Sequence, residues 1–497
     1  MINSLVLLPI LIPLTGALIA VALRRQHRVQ AAWSLGAMVT SLVSSAALLG
    51  VVWSGGQPVV YQVGGWSAPY GISIVGDMLA ALLVVMCQIV LSAGMLYATG
   101  CKDKCAQYPM FYPLFLTLAT GLTGAILTGD LFNLFVFTEL LVVSGAVLTA
   151  ISDDKLGVEA SYKYFYISLI ASIALLLACG MLYASYGTLN MADLARLIAV
   201  QPDRPLLPLA LVFLLVFFMV KSAVIPFHFW QPDFHTAAPT PVHAVLSSVV
   251  VKLGIYGFLR MTTLLFVDQA PQIRMILIVL GTIGVFFGAL GAIGTYDAKR
   301  LLAYSTMGQL GFILVAIGWG TPLALLAALV LAFNHSLLKA AMLMLAGSVA
   351  SRAPVKTAAF SVITGLGKYV PLAGVLFVLG GMGMAGMPPL NGFVSKLLLF
   401  ESGLTAQNYV SLLLVGLASV LTLVYIFRAF MKIWWEPVGE GVQPKPYGDR
   451  LIAPTILIAL CVLLGIYAEP LLQVSQATVQ WMLTPQAYIQ AVLGPGL

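Results

Sequence analysis

Six ionisable side chains inside strongly apolar stretches are the residues of this chain best suited to chemistry. They are Glu139 in LFVFTELLVV, Lys221 in LLVFFMVKSAVIPF, Lys252 in VLSSVVVKLGIYGF, His335 and Lys339 in LAFNHSLLKAAMLML, and Lys396 in GFVSKLLLF. A charged side chain near the middle of a bilayer costs about 2.5–3.5 kcal/mol on insertion scales, so such residues usually mark an ion or proton pathway. An acid, an imidazole and several amines can all accept and release protons, so this pattern indicates a proton relay.

The acid and the first amine form a natural pair. Glu139 lies nine residues beyond Asp130, which places it about 13 Å into a helix that begins there. A nearby carboxylate favours the charged form of a lysine, whereas desolvation favours the neutral form. A change in the separation of Glu139 and Lys221 would therefore let the lysine take up or release a proton. The alternative is a static structural ion pair.

The remaining groups could carry the proton onward. Lys252 could receive a proton from Lys221 through water, unless it is a lysine whose amine reaches the membrane surface. His335 and Lys339 are four residues apart and share one helix face, and an imidazole with a pKa near 6.5 is suited to passing protons between amines. A packing histidine is the alternative for His335. Lys396 would be the terminal group on the exit side, with a structural role as its alternative.

The composition sets the class of protein that must position these groups. The chain has 497 residues, of which 61% are hydrophobic and 8% charged, and its mean hydropathy is +1.03. Soluble domains carry about 25% charged residues, so we expect an all-α polytopic membrane protein. About 20 apolar residues make one span, and about fourteen such stretches follow one another along this sequence. The N-terminal stretch has no basic segment before it, so we interpret it as the first span and not as a cleaved signal peptide.

Loop charges orient the spans. Of the 24 Lys and Arg residues, sixteen fall on the side of the RRQHR loop after the first span, four fall on the opposite side and four are the intramembrane lysines. Cytoplasmic loops carry the excess of Lys and Arg. The sequence therefore predicts a multi-pass protein of the cell (inner) membrane with both termini outside.

Two spans carry proline and glycine interruptions beside a buried lysine: KSAVIPFHFWQP at 221–232 and GMGMAGMPPLNGFVSK at 381–396. Interrupted helices in corresponding positions of two halves indicate the central site of a transporter. The two spans enter from opposite faces, which predicts inverted repeats. We divide the chain into residues 1–109 (helices 1–3), 110–262 (first repeat, helices 4–8), 274–433 (second repeat, helices 9–13) and 451–497 (helix 14 and a surface helix).

Other chemistries have little support. His228, His235 and His243 flank the first interruption, but a metal site would need tighter convergence and acidic or thiol ligands. The string Gly381-x-Gly383-x-x-Gly386 matches a dinucleotide fingerprint, yet it leads into Pro-Pro without a surrounding βαβ unit. We therefore predict neither a metal nor a cofactor.

Five motifs in order carry a family resemblance: GDLFNLFVFTELLVVSG, KSAVIPFHFWQPDFHTAAPTPVHAVLSSVVVKLG, DAKRLLAYSTMGQLG, NHSLLKAAMLMLAG and GMPPLNGFVSK. From about residue 75 to 435 the chain resembles the proton-conducting membrane subunits shared by respiratory complex I and the Mrp cation/proton antiporters. Its length, the GDLFNLFVFTE string and the lysine at 396 are most similar to the D-type subunits of multi-subunit Mrp Na⁺/H⁺ antiporters.

The resemblance implies fourteen helices, two inverted five-helix repeats and broken seventh and twelfth helices. It also implies Glu139 and Lys221 as the switching pair, Lys252, His335 and Lys339 as the central relay, and Lys396 as the terminal lysine. Near Lys252 the chain departs from its relatives, which usually show Ser-Ala and then a His before a small residue. His243, Ser247 and Ser248 change the polar lining there.

Three functions remain open. The first is proton translocation within a hetero-oligomeric cation (Na⁺)/H⁺ antiporter. This subunit would carry either H⁺ alone or both H⁺ and Na⁺, its partners would be other antiporter subunits and the lipid bilayer, and it would bind no nucleic acid. The second is an antiporter-like, proton-pumping subunit of a complex I-type NADH/quinone oxidoreductase or a membrane-bound hydrogenase. The third is a stand-alone solute carrier, against which the lack of a substrate-shaped polar pocket counts. In none of these would the chain itself be a redox enzyme.

Overall fold

The fold is predominantly helical, as the composition predicts. The computed structural model describes residues 2–151, 154–439 and 442–494. Within these residues ten helices are long and apolar enough to cross a membrane, or eleven if the bent pair Ile452–Ile466 and Glu469–Met482 counts as one span. A two-stranded antiparallel sheet, β1 (Val59–Gln62) with β2 (Ser73–Gly76), pairs Val60 with Val75 on the loop after the second long helix.

The helices are numbered in chain order. They are α1 (Leu8–Ala22), α2 (His27–Gly55), α3 (Met78–Gly100), α4 (Phe111–Leu127), α5 (Leu131–Ala150), α6 (Lys155–Tyr186), α7 (Met191–Val200), α8 (Leu207–Lys221), α9 (Trp230–Ala237), α10 (Thr240–Val245), α11 (Lys252–Arg260), α12 (Ala270–Gly294), α13 (Ala298–Trp319), α14 (Pro322–Ala350), α15 (Phe360–Ile363), α16 (Pro371–Ala385), α17 (Asn391–Thr405), α18 (Tyr409–Phe430), α19 (Ile452–Ile466), α20 (Glu469–Met482) and α21 (Pro485–Leu493). Short 3₁₀ turns lie at Ile2–Leu7, Val63–Gly65, Lys104–Gln107 and Leu366–Tyr369, and π-helical turns at Leu246–Val250, Met261–Leu265 and Met431–Trp435.

The core is built around α14, which packs against α3, α10, α13, α16, α17, α19 and α20. In the most apolar stretch of α14 94% of the residues are buried, and in the continuous helix Thr240–Leu265 all are, compared with 39% in α12. The helices that carry Lys252, His335 and Lys339 are therefore the interior ones. Lys252 and Lys339 are accordingly 2% and 0% exposed.

Two aspartates start helices in the same way in the two halves of the chain. Asp130 accepts a hydrogen bond from Asn133 N at 2.8 Å, and Asp297 accepts one from Arg300 N at 2.9 Å. Both are N-caps, which satisfy amides that the first helical turn leaves free. Each also forms an isolated antiparallel bridge to a segment beyond the next long helix, Asp130 with Asn190 and Asp297 with Ala359.

The two predicted interruptions are present. The first separates α8 from α9, and Lys221 is the last residue of α8. The second separates α16 from α17, at Gly386 with φ of +85°. A Cβ at position 386 would also lie 2.5 Å from Lys396 Cδ, so the backbone angle and the close approach of the lysine both require glycine there.

The C-terminal helices pack on the interior. The axis turns by 79° between α19 and α20, and α20 lies against α3 and α14. Of the predicted segment 451–497, the last three residues fall outside the described ranges. Arg260 is one of the four basic residues that the loop-charge analysis counts on the side opposite the RRQHR loop, but the structure buries it. It is 5% exposed, inside a helix that continues to Leu265, because Asp77 provides a buried counterion for it.

Candidate functional site

The first interruption brings Glu139 and Lys221 near each other without joining them. Lys221 is 6% exposed, and its amine has no hydrogen-bond partner among the described residues. The charge of Glu139 acts on Lys221, but the two do not form an ion pair. Glu139 is half-buried on α5 and accepts a hydrogen bond from the Ser172 hydroxyl of α6. The Lys221 amine also lies 5.5 Å from the centre of the Phe217 ring, a favourable position for a cation.

A hydroxyl ties the first interruption to the next span. Ser222 Oγ donates to the Val251 carbonyl at 3.1 Å, so the residues that follow Lys221 and precede Lys252 are in contact. Gly254 permits this approach, because a Cβ there would lie 1.9 Å from Ser222 Oγ. Beside the interruption, between Ser222 and α13, is a cavity of only about 10 Å³, which is about the smallest space that holds one water.

The centre of the site joins Lys252 directly to His335. The Lys252 amine and His335 Nδ1 are 2.6 Å apart, and these side chains are 2% and 4% exposed. The other ring nitrogen of His335 has no partner among the described residues. A π-helical turn, Leu246–Val250, immediately precedes Lys252, and such turns are frequent at functional sites.

Lys339 follows His335 by one helical turn, as the spacing predicted. It is fully buried, and its amine donates to Ser305 Oγ at 2.8 Å and to the Leu302 carbonyl at 3.2 Å. Ser305 in turn shares a hydrogen bond of 2.9 Å with Tyr425 OH. The charges of Lys252 and Lys339 act on each other and on the imidazole of His335 between them. Protonation of one of the three therefore disfavours protonation of the next.

Lys396 belongs to the second interruption and does not contact Lys339. Its amine donates to the Ala385 carbonyl at 3.0 Å and lies 5.2 Å from the centre of the Phe312 ring. Ala385 ends α16, so the amine caps a helix C-terminus, where a cation is favoured. A polar contact nevertheless links α17, the helix that carries Lys396, to α14, since Asn334 Nδ2 donates to Ser395 Oγ at 2.6 Å.

Two histidines whose role the sequence left open lie beside the central cluster. His235 and His243 are each 1% exposed, their rings meet edge-on at 5.4 Å, and all four ring nitrogens lack a partner among the described residues. The charge of Lys339 acts on both imidazole rings. His228 lies apart and packs against Phe287 at 4.4 Å. Across the described residues, three or more His, Cys, Asp or Glu side chains never converge into a possible metal site.

Several participating polar residues were missed by the sequence interpretation. Ser172 contacts the acid, Ser305 and Tyr425 extend the hydrogen bonds of Lys339, and Asn334 with Ser395 connects the two halves of the site. Polar residues within apolar spans were the available signal. The strings NHSLLK and NGFVSK contain two of them directly beside predicted residues. Together the site can hold protons on amines and an imidazole at successive positions.

Comparison with known proteins gives a consistent result. Residues 128–422 match the family model described as NADH:quinone oxidoreductase/Mrp antiporter, TM. The chain is 32% identical over 493 residues to the D subunit of a Na⁺/H⁺ antiporter of Alkalihalophilus pseudofirmus, with 99% of each chain covered. It is also 34% identical over 503 residues to the N subunit of an NADH-quinone oxidoreductase of Desulforudis audaxviator, with 96% of this chain and 99% of the relative covered.

The fold is similar to that of a solved complex as well. A chain in the structure of the Mrp complex from a Dietzia species superimposes with a TM-score of 0.90 at 27% sequence identity, and 99% of each chain is covered. The similarity thus extends over the whole chain and includes the helices that carry the buried lysines.

Proposed function

The chain belongs to the NADH:quinone oxidoreductase/Mrp antiporter family of membrane subunits, and we propose that it is the proton-translocating D-type subunit of a multi-subunit Na⁺/H⁺ antiporter in the cell membrane. The observation that carries this proposal is the buried contact of 2.6 Å between the Lys252 amine and His335 Nδ1. An amine and an imidazole in direct contact, without a carboxylate to hold either in one charge state, can exchange a proton.

The proposed proton path runs through Glu139, Lys221, Lys252, His335, Lys339 and Lys396. Glu139 modulates the charge of Lys221, which has no hydrogen bond to give up when its charge changes. The proton then moves to Lys252, to His335 by direct contact and to Lys339 one turn along α14. The Asn334–Ser395 contact supports continuation to the second interruption. Water would have to complete the steps for which no direct contact exists.

The architecture we propose for this path has fourteen spans. The ten long apolar helices, the three shorter apolar helices (Phe111–Leu127, Leu207–Lys221 and Pro371–Ala385) and α19 account for that number. Residues 110–262 and 274–433 would be the inverted repeats, with residues 1–109 before them and 451–497 after them. The matching caps and bridges of Asp130 and Asp297 support the repeat. The charge distribution of the loops supports termini on the outer side.

Transport in everted membrane vesicles that contain the whole complex tests the function. Glu139→Gln and Lys221→Ala should abolish the Na⁺-dependent change in internal pH while the complex still assembles, because each removes one member of the switching pair. Lys368→Ala is the control, since Lys368 is exposed. Unaltered transport in both variants would refute the proposed path.

A second function is favoured by a specific observation, the 34% identity to the N subunit of an oxidoreductase. In that case the chain would be a proton-pumping subunit of a redox-driven complex. The proteins that purify with the tagged chain distinguish the two functions. Small membrane subunits alone support the antiporter, and iron–sulfur subunits support the oxidoreductase.

A further inference from the structure

A groove of about 460 Å³ that shares no lining residue with the proposed proton path opens where the end of α1, the start of α4 and the end of α5 meet. Its lining includes Arg24, Arg25, Tyr108, Met110, Leu114 and Val147. The wall residues are mostly apolar, and the charged residues among them are two arginines that are consecutive in the chain. None of the residues that line the groove in the described part of the chain is acidic. The groove thus combines two cationic side chains with an apolar wall.

The groove opens onto an exposed apolar surface. Val147 is 41% exposed and Met110 is 44% exposed, and the exposed apolar surface continues along α5 to Val143 and Val136. Arg24 and Arg25 directly follow the first span, in the loop that the charge distribution assigns to the cytoplasmic side. The groove therefore runs into the hydrocarbon layer, and the arginines lie at the level of the headgroups.

The loop that presents the arginines is held in place. Gln30, fully buried, donates to the Ala20 carbonyl at 2.8 Å and to the Pro109 carbonyl at 2.7 Å. His27 Nε2 lies 3.0 Å from the Ala106 carbonyl. These contacts join the C-terminal side of the RRQHR turn to the segment before α4 and, through Gln30, to the end of α1. The backbone that carries the arginines is thus held beside the apolar wall, which limits the backbone entropy lost when a ligand binds.

We propose that this groove is a binding site for one anionic phospholipid. The phosphate lies between the Arg24 and Arg25 guanidinium groups, and one acyl chain lies along Leu114 and Val147. Guanidinium groups match phosphate oxygens in geometry and charge. Basic pockets between spans on the cytoplasmic side are suited to acidic lipid headgroups. The headgroup of a zwitterionic lipid carries a cationic ammonium group, which the two arginines would repel. The site therefore discriminates between lipids by the charge of their headgroups.

Native mass spectrometry of the purified complex tests this site. The complex is depleted of lipid in detergent and then supplied with equal amounts of phosphatidylglycerol and phosphatidylcholine. The double variant R24Q/R25Q should retain about thirtyfold less phosphatidylglycerol at the site, since each basic residue near the surface contributes a factor of about five. The control K368Q/K445Q removes the same charge from exposed lysines elsewhere and should retain the lipid as the wild type does.

A second variant tests the apolar half of the site. Val147→Trp fills the groove at an exposed position without touching the arginines, so it should also reduce retention of phosphatidylglycerol. Equal retention of the two lipids by the wild type, or the same loss in K368Q/K445Q, would overturn the proposal. A cysteine placed at Val147 that cross-links to another subunit of the intact complex would also overturn it, because a protein would then occupy the groove.

Discussion

Two pairs in this protein each combine a carboxylate with a cationic side chain, but only one of the two pairs is in direct hydrogen-bonded contact. Asp77 and Arg260 are 0% and 5% exposed and form two hydrogen bonds of 2.7 Å, and Asp77 also accepts from Trp481 Nε1 at 3.2 Å. Glu139 and Lys221 lie near each other, yet they do not form an ion pair, and the lysine amine has no hydrogen-bond partner in the described structure. The residues of the first pair are hydrogen-bonded to each other, and those of the second pair are not.

The difference separates a structural pair from one that can change its charge. An arginine remains protonated in proteins, and its planar group fits a carboxylate with two parallel bonds. Asp77 and Arg260 therefore have one stable arrangement, which joins α3, α11 and the C-terminal α20. A lysine amine can lose its proton when it is buried. Among the described residues Lys221 has no hydrogen bond to break, so under the proposed mechanism a movement of Glu139 would alter the balance between the charged and neutral forms of the lysine.

The largest expected effect is loss of the structural pair. Asp77→Ala leaves the buried Arg260 charge without its counterion, although Tyr256 OH still accepts a hydrogen bond from Arg260 Nε. The free energy of unfolding should fall by about 3–5 kcal/mol. The denaturation midpoint of the purified complex measures this. Asp203→Ala is the control, since Asp203 is exposed. If Asp77→Ala left the midpoint unchanged while Glu139→Gln lowered it, the structural and the switching roles would have been assigned to the wrong pairs.

The next largest effect should come from making the second pair resemble the first. Lys221→Arg keeps the positive charge but removes the ability to release a proton, so antiport in vesicles should fall about a hundredfold, equivalent to about 2.7 kcal/mol in the barrier. Arg260→Lys, the reciprocal change, should retain antiport in the molecules that assemble. Full activity of Lys221→Arg would mean that Lys221 acts through its positive charge alone and does not release a proton during transport.

The sequence predicted one of these pairs and not the other, for physical reasons. Glu139 and Lys221 stand out because each is a lone charge in the middle of an apolar stretch. Asp77 and Arg260 each lie near the end of an apolar run, where a charge is ordinary. Their partnership joins residues 183 positions apart. Hydropathy reports the depth of a residue, but which helices become neighbours depends on the packing of the whole bundle.

The same limit applies to the finer parts of the site. The spacing of His335 and Lys339 predicts a shared helix face, and the motif around Pro388 predicts an interrupted helix; both features are present. The contact of Lys252 with His335 and that of Ser172 with Glu139 cross between helices. Local periodicity carries no information on such contacts.

A smaller effect is expected from a variant in α20 that weakens its contact with the Asp77–Arg260 pair. Trp481→Phe removes the indole donor to Asp77 but keeps most of the apolar surface. One hydrogen bond to a charged group is lost, so the free energy of unfolding should fall by about 1.5–3 kcal/mol. Chemical denaturation of the complex measures it, with antiport in folded complexes as a second readout that should not change. The double variant Asp77→Ala/Trp481→Phe should be no less stable than Asp77→Ala alone, because the shared contact is already absent.

The smallest effect should come from the hydroxyl that holds the acid of the switching pair. Ser172→Ala removes the hydrogen bond to Glu139, which is worth about 0.5–1.5 kcal/mol, and antiport should change by about threefold with little change in stability. Ser168→Ala is the matched control, because Ser168 is buried on the same helix one turn away and its hydroxyl interacts with Tyr164. Equal changes in the two variants would show that helix packing, and not the position of the carboxylate, accounts for the effect. A change confined to Ser172→Ala would show that transport depends on the position of the Glu139 carboxylate. The Asp77 carboxylate, in contrast, is expected to affect stability and not transport.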